Sequence, residues 1–152
     1  MTLVQTRNAF HLWSRIHRDI LDFLALVPEG SLDAKAPGFE QTLGDAFRHV
    51  ATVEDYWRRA VLDPGAEYRA LDAATAPDAT SLRAALEQAF AGIERLLDAS
   101  LVDAMYERPV KSRYPVRNAL EALTLCHLHT VHHRAGIAAH LRALGIAVED
   151  WI

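Results

Sequence analysis

Cysteine is nearly missing: Cys126 stands alone in 152 residues, which excludes an intrachain disulfide framework and every zinc module built on paired cysteines. Any metal site must rest on histidine or carboxylate. Lysine is scarce too, with two against fourteen arginines, and the net charge is -4 at pH 7. Without a clustered basic excess, nucleic acid is a poor partner. Long apolar runs are also lacking. The opening MTLVQTRNAFHLWSRIHRDI has polar and charged residues spread throughout and no unbroken apolar core, so neither a signal peptide nor a membrane span is expected, and a cytoplasmic protein is the reading. Ile, Val and Thr are sparse whereas alanine occurs 26 times, a balance that favours helix over sheet. With 51% apolar and 24% charged residues, the chain predicts one globular domain over 1–152.

Four helical segments follow from periodicity and punctuation. The first is expected from about Leu3 to Val27, with Phe10, Trp13, Ile16, Ile20 and Phe23 on one stripe and Pro28 and Gly30 as its stop. Thr42 reads as the N-cap of the second, with Asp45 three positions on and Val50, Val53, Trp57 and Val61 as its apolar face. Thr80 or Ser81 opens the third, which carries Leu82, Leu86, Phe90, Ile93 and Leu97. The last is expected from about Val116 to Leu144, closed by Gly145. Between them, residues 63–79 and 101–115 read as irregular connections. The predicted fold is all-α, a four-helix bundle with two longer connections.

Histidine is what the chain has in excess, and in one place: His127, His129, His132, His133 and His140 fall within fourteen residues. His129 and His133, one turn apart, share a helix face at the spacing where two imidazoles can hold one ion. Their stripe, with Cys126, Ile137 and Leu141, is read as core-facing. His49 on the second helix also points to packed surface, where it reads either as a satisfied core histidine or, jointly with the pair, as a third donor. His132 is an alternative to His133, although it turns about 100° away from its neighbour. His127 is expected to be exposed and His140 to be a packing or interface residue. Cys126 reads as a small buried hydrophobe, Asp45 as a cap that could also orient His49, and Arg134 as an ion-pair or rim residue. Lys111, Arg113 and Arg117 form a basic cluster before the last helix that could grip an anionic substrate. None of the nine glutamates is followed by His at the third position, which excludes a ferritin-like di-iron centre.

Two stretches carry a resemblance. LGDAFRHVATVEDYW, Leu43 to Trp57, has a His followed eight residues later by an aromatic, and LHTVHHRAGIAAHLRALG, Leu128 to Gly145, has His-x3-His-Arg and a Leu-Arg-x-Leu-Gly ending. In both the chain resembles the DinB-like (DinB/YfiT) metal-binding four-helix bundles. The resemblance implies His49, His129 and His133 as metal ligands, since His133 directly precedes Arg134. Where the family often reads Arg-Gly-Gln, this chain has Arg134, Ala135 and Gly136, so a glutamine near the site is missing.

Three neutral imidazoles leave Zn²⁺ or Ni²⁺ with open coordination, at which water or a thiol could ionise. The resemblance implies transfer to or from a small thiol of the bacillithiol, mycothiol or glutathione type, with the metal activating the thiol against an electrophile. A metal-dependent thiol S-transferase is thus the leading expectation. Behind it stand a stress-associated metal-binding bundle without turnover and a metal-water hydrolase. A homodimer remains open.

Overall fold

The structure, a computed structural model, describes residues 9–98 and 107–149. Within them run α1 (Trp13–Ala25), α2 (Leu43–Leu62), α3 (Ala79–Asp98) and α4 (Ala119–Ala143). No strand occurs among the described residues, only an isolated antiparallel bridge between Pro109 and Asn118. No helix among them is long and apolar enough to cross a membrane. The expected start of the first helix at Leu3 and part of the second connection lie outside the described residues.

Helix ends follow local chemistry, and they correct several expected boundaries. α1 begins at Trp13 because residues 10–12 form a turn that folds Phe10 in against Trp13, ring centroids 5.4 Å apart. It ends at Ala25, where Leu26 and Val27 tighten onto Phe23 O and Leu24 O ahead of Pro28, the residue before a proline being disfavoured in a helix. α3 opens at Ala79, one or two residues early, because Asp78 caps it: its Oδ1 accepts from Ser81 N–H at 2.8 Å. α4 opens at Ala119, since Arg117 O is committed to Val110 N–H and Asn118 Oδ1 caps Glu121 N–H. Gly145, at φ +80, ends it with Ile146 N–H on Leu141 O, the pairing of a Schellman motif.

α2 packs on α3 and α4, and α1 packs on the same two, so consecutive helices α1 and α2 occupy opposite corners of the bundle. The core forms two apolar clusters, one around Ile20, Phe47, Leu86 and Leu141, the other around Trp13, Trp57, Ile93 and Leu123. The connections are tied down by polar contacts. Leu32 O and Ala34 O accept from Gly44 and Leu43 N–H, satisfying the first turn of α2. Arg48 Nε donates to Ala76 O, and Thr52 Oγ1 accepts from Leu71 N–H. Residues 63–78 therefore lie along α2, close to the face that bears His49.

Candidate metal centre and its flanking cavity

α2 and α4 bring His49, His129 and His133 together, with one nitrogen from each ring all mutually within 4.8 Å. His49 Nε2 lies 3.0 Å from His129 Nε2. The ring centroids are 4.9 Å apart for His49 and His129, 4.7 Å for His49 and His133, and 4.2 Å for the α4 pair. All three rings are half-buried. The pair on α4 thus lies at the margin of the core rather than within its stripe, which is filled by Cys126, Thr130, Ile137 and Leu141.

Burial disfavours the charged form of each ring, and neighbouring imidazoles further disfavour charge on His129 and His133. His133 is pushed down to about 3 and His129 to about 4, burial being the larger cause in both. His49 is lowered by burial as well. The rings are therefore neutral at pH 7 and offer lone pairs. Two donors each about 2.1 Å from one ion stand about 3.0–3.4 Å apart, and the closest pair here meets that separation. His129 Nδ1 is buried with no partner, so hydrogen bonds within the protein do not satisfy this ring. The donor set fits a divalent ion bound by nitrogen.

The other histidines separate cleanly. His132 is exposed, although its ring stands edge-on to His133 at 5.1 Å. His127 corrects the expectation of an exposed side chain: it is half-buried, packed on Trp13 at 5.0 Å and on Phe10 at 5.6 Å, because the turn at 10–12 covers it. His140 is a packing residue, stacked on Phe39 at 4.1 Å while Nε2 accepts from Ala36 N–H at 3.1 Å. Cys126 is fully buried, and its thiol is raised well above its ordinary range by burial and then by the charge of Glu54. Asp45 does not reach His49; Arg48 Nη1 donates to it at 2.9 Å. Arg134 pairs with buried Asp19 at 2.9 Å.

Sequence reasoning missed a buried polar layer between the two apolar clusters. Glu54, 1% exposed, accepts at Oε1 from Trp13 Nε1 at 2.9 Å and from Thr130 Oγ1 at 2.6 Å. His17 Nε2 is 2.9 Å from both carboxylate oxygens, and its ring stacks on Phe90 at 3.9 Å. Three helices supply the polar groups, and Phe90 of α3 supplies the stacking ring. A sequence signal existed only in that Glu54 and His17 interrupt otherwise apolar faces.

A cavity of about 140 Å³ opens directly beside His49 and His129, walled by Tyr56, Trp57, Tyr68 and Tyr114 with Arg113 at its edge. A wider outer cleft of about 510 Å³ adjoins it and includes Lys111. The basic cluster divides here, because Arg117 pairs with Glu121 and lines neither space. A family model described as the DinB superfamily matches residues 12–137. No curated protein matches the chain.

Proposed function

The chain belongs to the DinB superfamily, and from that premise we propose that it is a metal-dependent thiol S-transferase in which His49, His129 and His133 hold a divalent ion, zinc or nickel. The observation that carries this reading is the convergence of three neutral imidazoles beside a cavity large enough for a small molecule. Three protein donors leave coordination positions free, as catalytic sites do and closed structural sites do not. When bound, a divalent ion would supply Lewis acidity, holding a small thiol as its thiolate at neutral pH.

The chain's own residues do the rest. His49 from α2 and the His129 and His133 pair from α4 would hold the ion between two helices, while Tyr56, Trp57 and Tyr114 wall the cavity beside it. In the transfer the cosubstrate sulfur bonds to the electrophilic carbon, the leaving group departs with its electron pair, and the thiol proton passes to solvent. Cys126 is not the nucleophile, because its thiol is buried and held protonated.

The test incubates metal-loaded protein with bacillithiol, mycothiol or glutathione and 1-chloro-2,4-dinitrobenzene, and follows the thioether. Conjugation is expected with one thiol, dependent on metal and lost in His133→Ala. If no thiol gives conjugation above that variant, a metal-binding bundle without turnover becomes the better account.

A further inference from the structure

The two long connections meet over the cavity beside the histidines. Residues 63–78 bring Tyr68 to 5.6 Å from Tyr56, and residues 107–118 bring Tyr114 to 5.7 Å from Trp57, measured between ring centroids. Arg113 bridges the two connections: its guanidinium lies 5.9 Å over the Tyr68 ring and 5.1 Å over the Tyr114 ring, and Nη2 donates to Tyr114 Oη at 3.0 Å. Tyr56, Tyr68, Arg113 and Tyr114 line both the inner cavity and the outer cleft. A molecule passing from one to the other therefore meets Arg113.

The charge in this region is one-sided. Arg113 and Lys111 line the two spaces, and no carboxylate lines either. Arg113 has no acidic partner among the described residues, whereas the neighbouring Arg117 is paired with Glu121. A guanidinium stacked on aromatic faces keeps most of its donors free, and its planar fork matches a carboxylate. The walls suit a flat apolar body, since aromatic rings attract one another in tilted and edge-on arrangements. At about 140 Å³ the inner cavity accommodates one substituted ring rather than a long chain.

We propose that this cavity is a binding site for small aromatic carboxylates, with Arg113 pairing the carboxylate and the rings of Trp57, Tyr56 and Tyr114 packing on the arene. Because His49 and His129 line the same cavity, the ligand's other end reaches the imidazoles. Calling the site the seat of the electrophile rests on the thiol-transfer reading; the binding itself does not. Arg113 then sets specificity, admitting anionic aromatics over neutral ones.

The experiment uses the full chain in chelator, so that no metal can capture a carboxylate, and titrates benzoate, benzamide and acetate while following tryptophan fluorescence and saturation-transfer NMR. Benzoate should bind about tenfold or more tightly than benzamide, the size of effect that one charge-assisted pair provides. Acetate should not compete with benzoate at equal concentration. Arg113→Gln should bring the benzoate-to-benzamide affinity ratio down to about one, while Tyr114→Leu should weaken both aromatics. Equal binding of benzoate and benzamide, no binding of benzoate, or a preference that survives Arg113→Gln overturns the proposal. Failure of thiol conjugation with Arg113-dependent benzoate binding intact removes the transferase reading alone. Conjugation of neutral electrophiles without benzoate selectivity removes this site alone.

Discussion

His129 and His127 lie two positions apart on α4, are half-buried alike, and have different fates. His129 faces two imidazoles, while His127 faces Phe10 and Trp13. His129→Ala should therefore lower divalent metal content by about tenfold or more, as measured by metal analysis of the purified protein, and His127→Ala should leave it near the wild-type level. Equal losses would reject the ligand assignment. Proton linkage gives a second expectation. His129 and His133 are lowered from 6.5 to about 4 and about 3 in the fold, so the unfolded chain takes up protons first as pH falls. Their contribution to metal-free stability is thus full above about pH 6.5 and is lost as the pH drops towards those lowered values, with solvent screening of the half-exposed rings reducing its size. Melting temperatures of the metal-free chain should fall from about pH 7 to about pH 4.5, less steeply in His133→Ala. An unchanged slope in that variant would contradict the linkage. The two α4 ligand candidates could be read from spacing alone, because helix geometry makes positions 129 and 133 neighbours. Their distance from His49 could not.

At the scale of elements, the ends of α2 show what local sequence can specify. Thr42 accepts from Asp45 N–H at 3.1 Å as its position suggests, and the helix runs to Leu62, just ahead of Pro64. Asp78 and Asn118 are caps as well, but stretches that also suit helix hide them, so the starts of α3 and α4 were displaced by one to three residues. Replacing Asn118 with Ala should destabilise the chain by about 1 kcal/mol, the usual value of a cap, in chemical denaturation. α4 is also tied directly to the buried carboxylate. Thr130 Oγ1 donates to Glu54 Oε1 at 2.6 Å, next in sequence to His129. Thr130→Val keeps the shape and removes the donor, so it should cost about 1–3 kcal/mol, read from the denaturation midpoint at unchanged slope. A loss below about 0.5 kcal/mol would mean that Trp13 and His17 alone satisfy Glu54.

For the molecule as a whole, the metal is expected to stabilise a fold that already stands without it. Two apolar clusters span all four helices, and burial on that scale folds a chain of this length. Circular dichroism in chelator should keep the helical signal, whereas free metal at about 100 times its Kd should add about 2.7 kcal/mol and raise Tm by about 5–10 °C. A coil spectrum in chelator would make the metal structural. The sequence by itself determined the helical class, the order of four helices, the α4 histidine pair and the exclusion of paired-cysteine and ferritin-like di-iron sites, because these rest on composition and on spacing within one helix. Only the tertiary structure decided the rest. Glu54, Trp13, His17 and Thr130 meet from three helices, and Tyr68, Arg113 and Tyr114 come from connections with no period to read. His127 is covered by a turn that interrupts an apparently continuous helix. These contacts join residues far apart in the chain, so they depend on which helices share a corner and where each connection is latched, and a periodic pattern within one element carries no information about either.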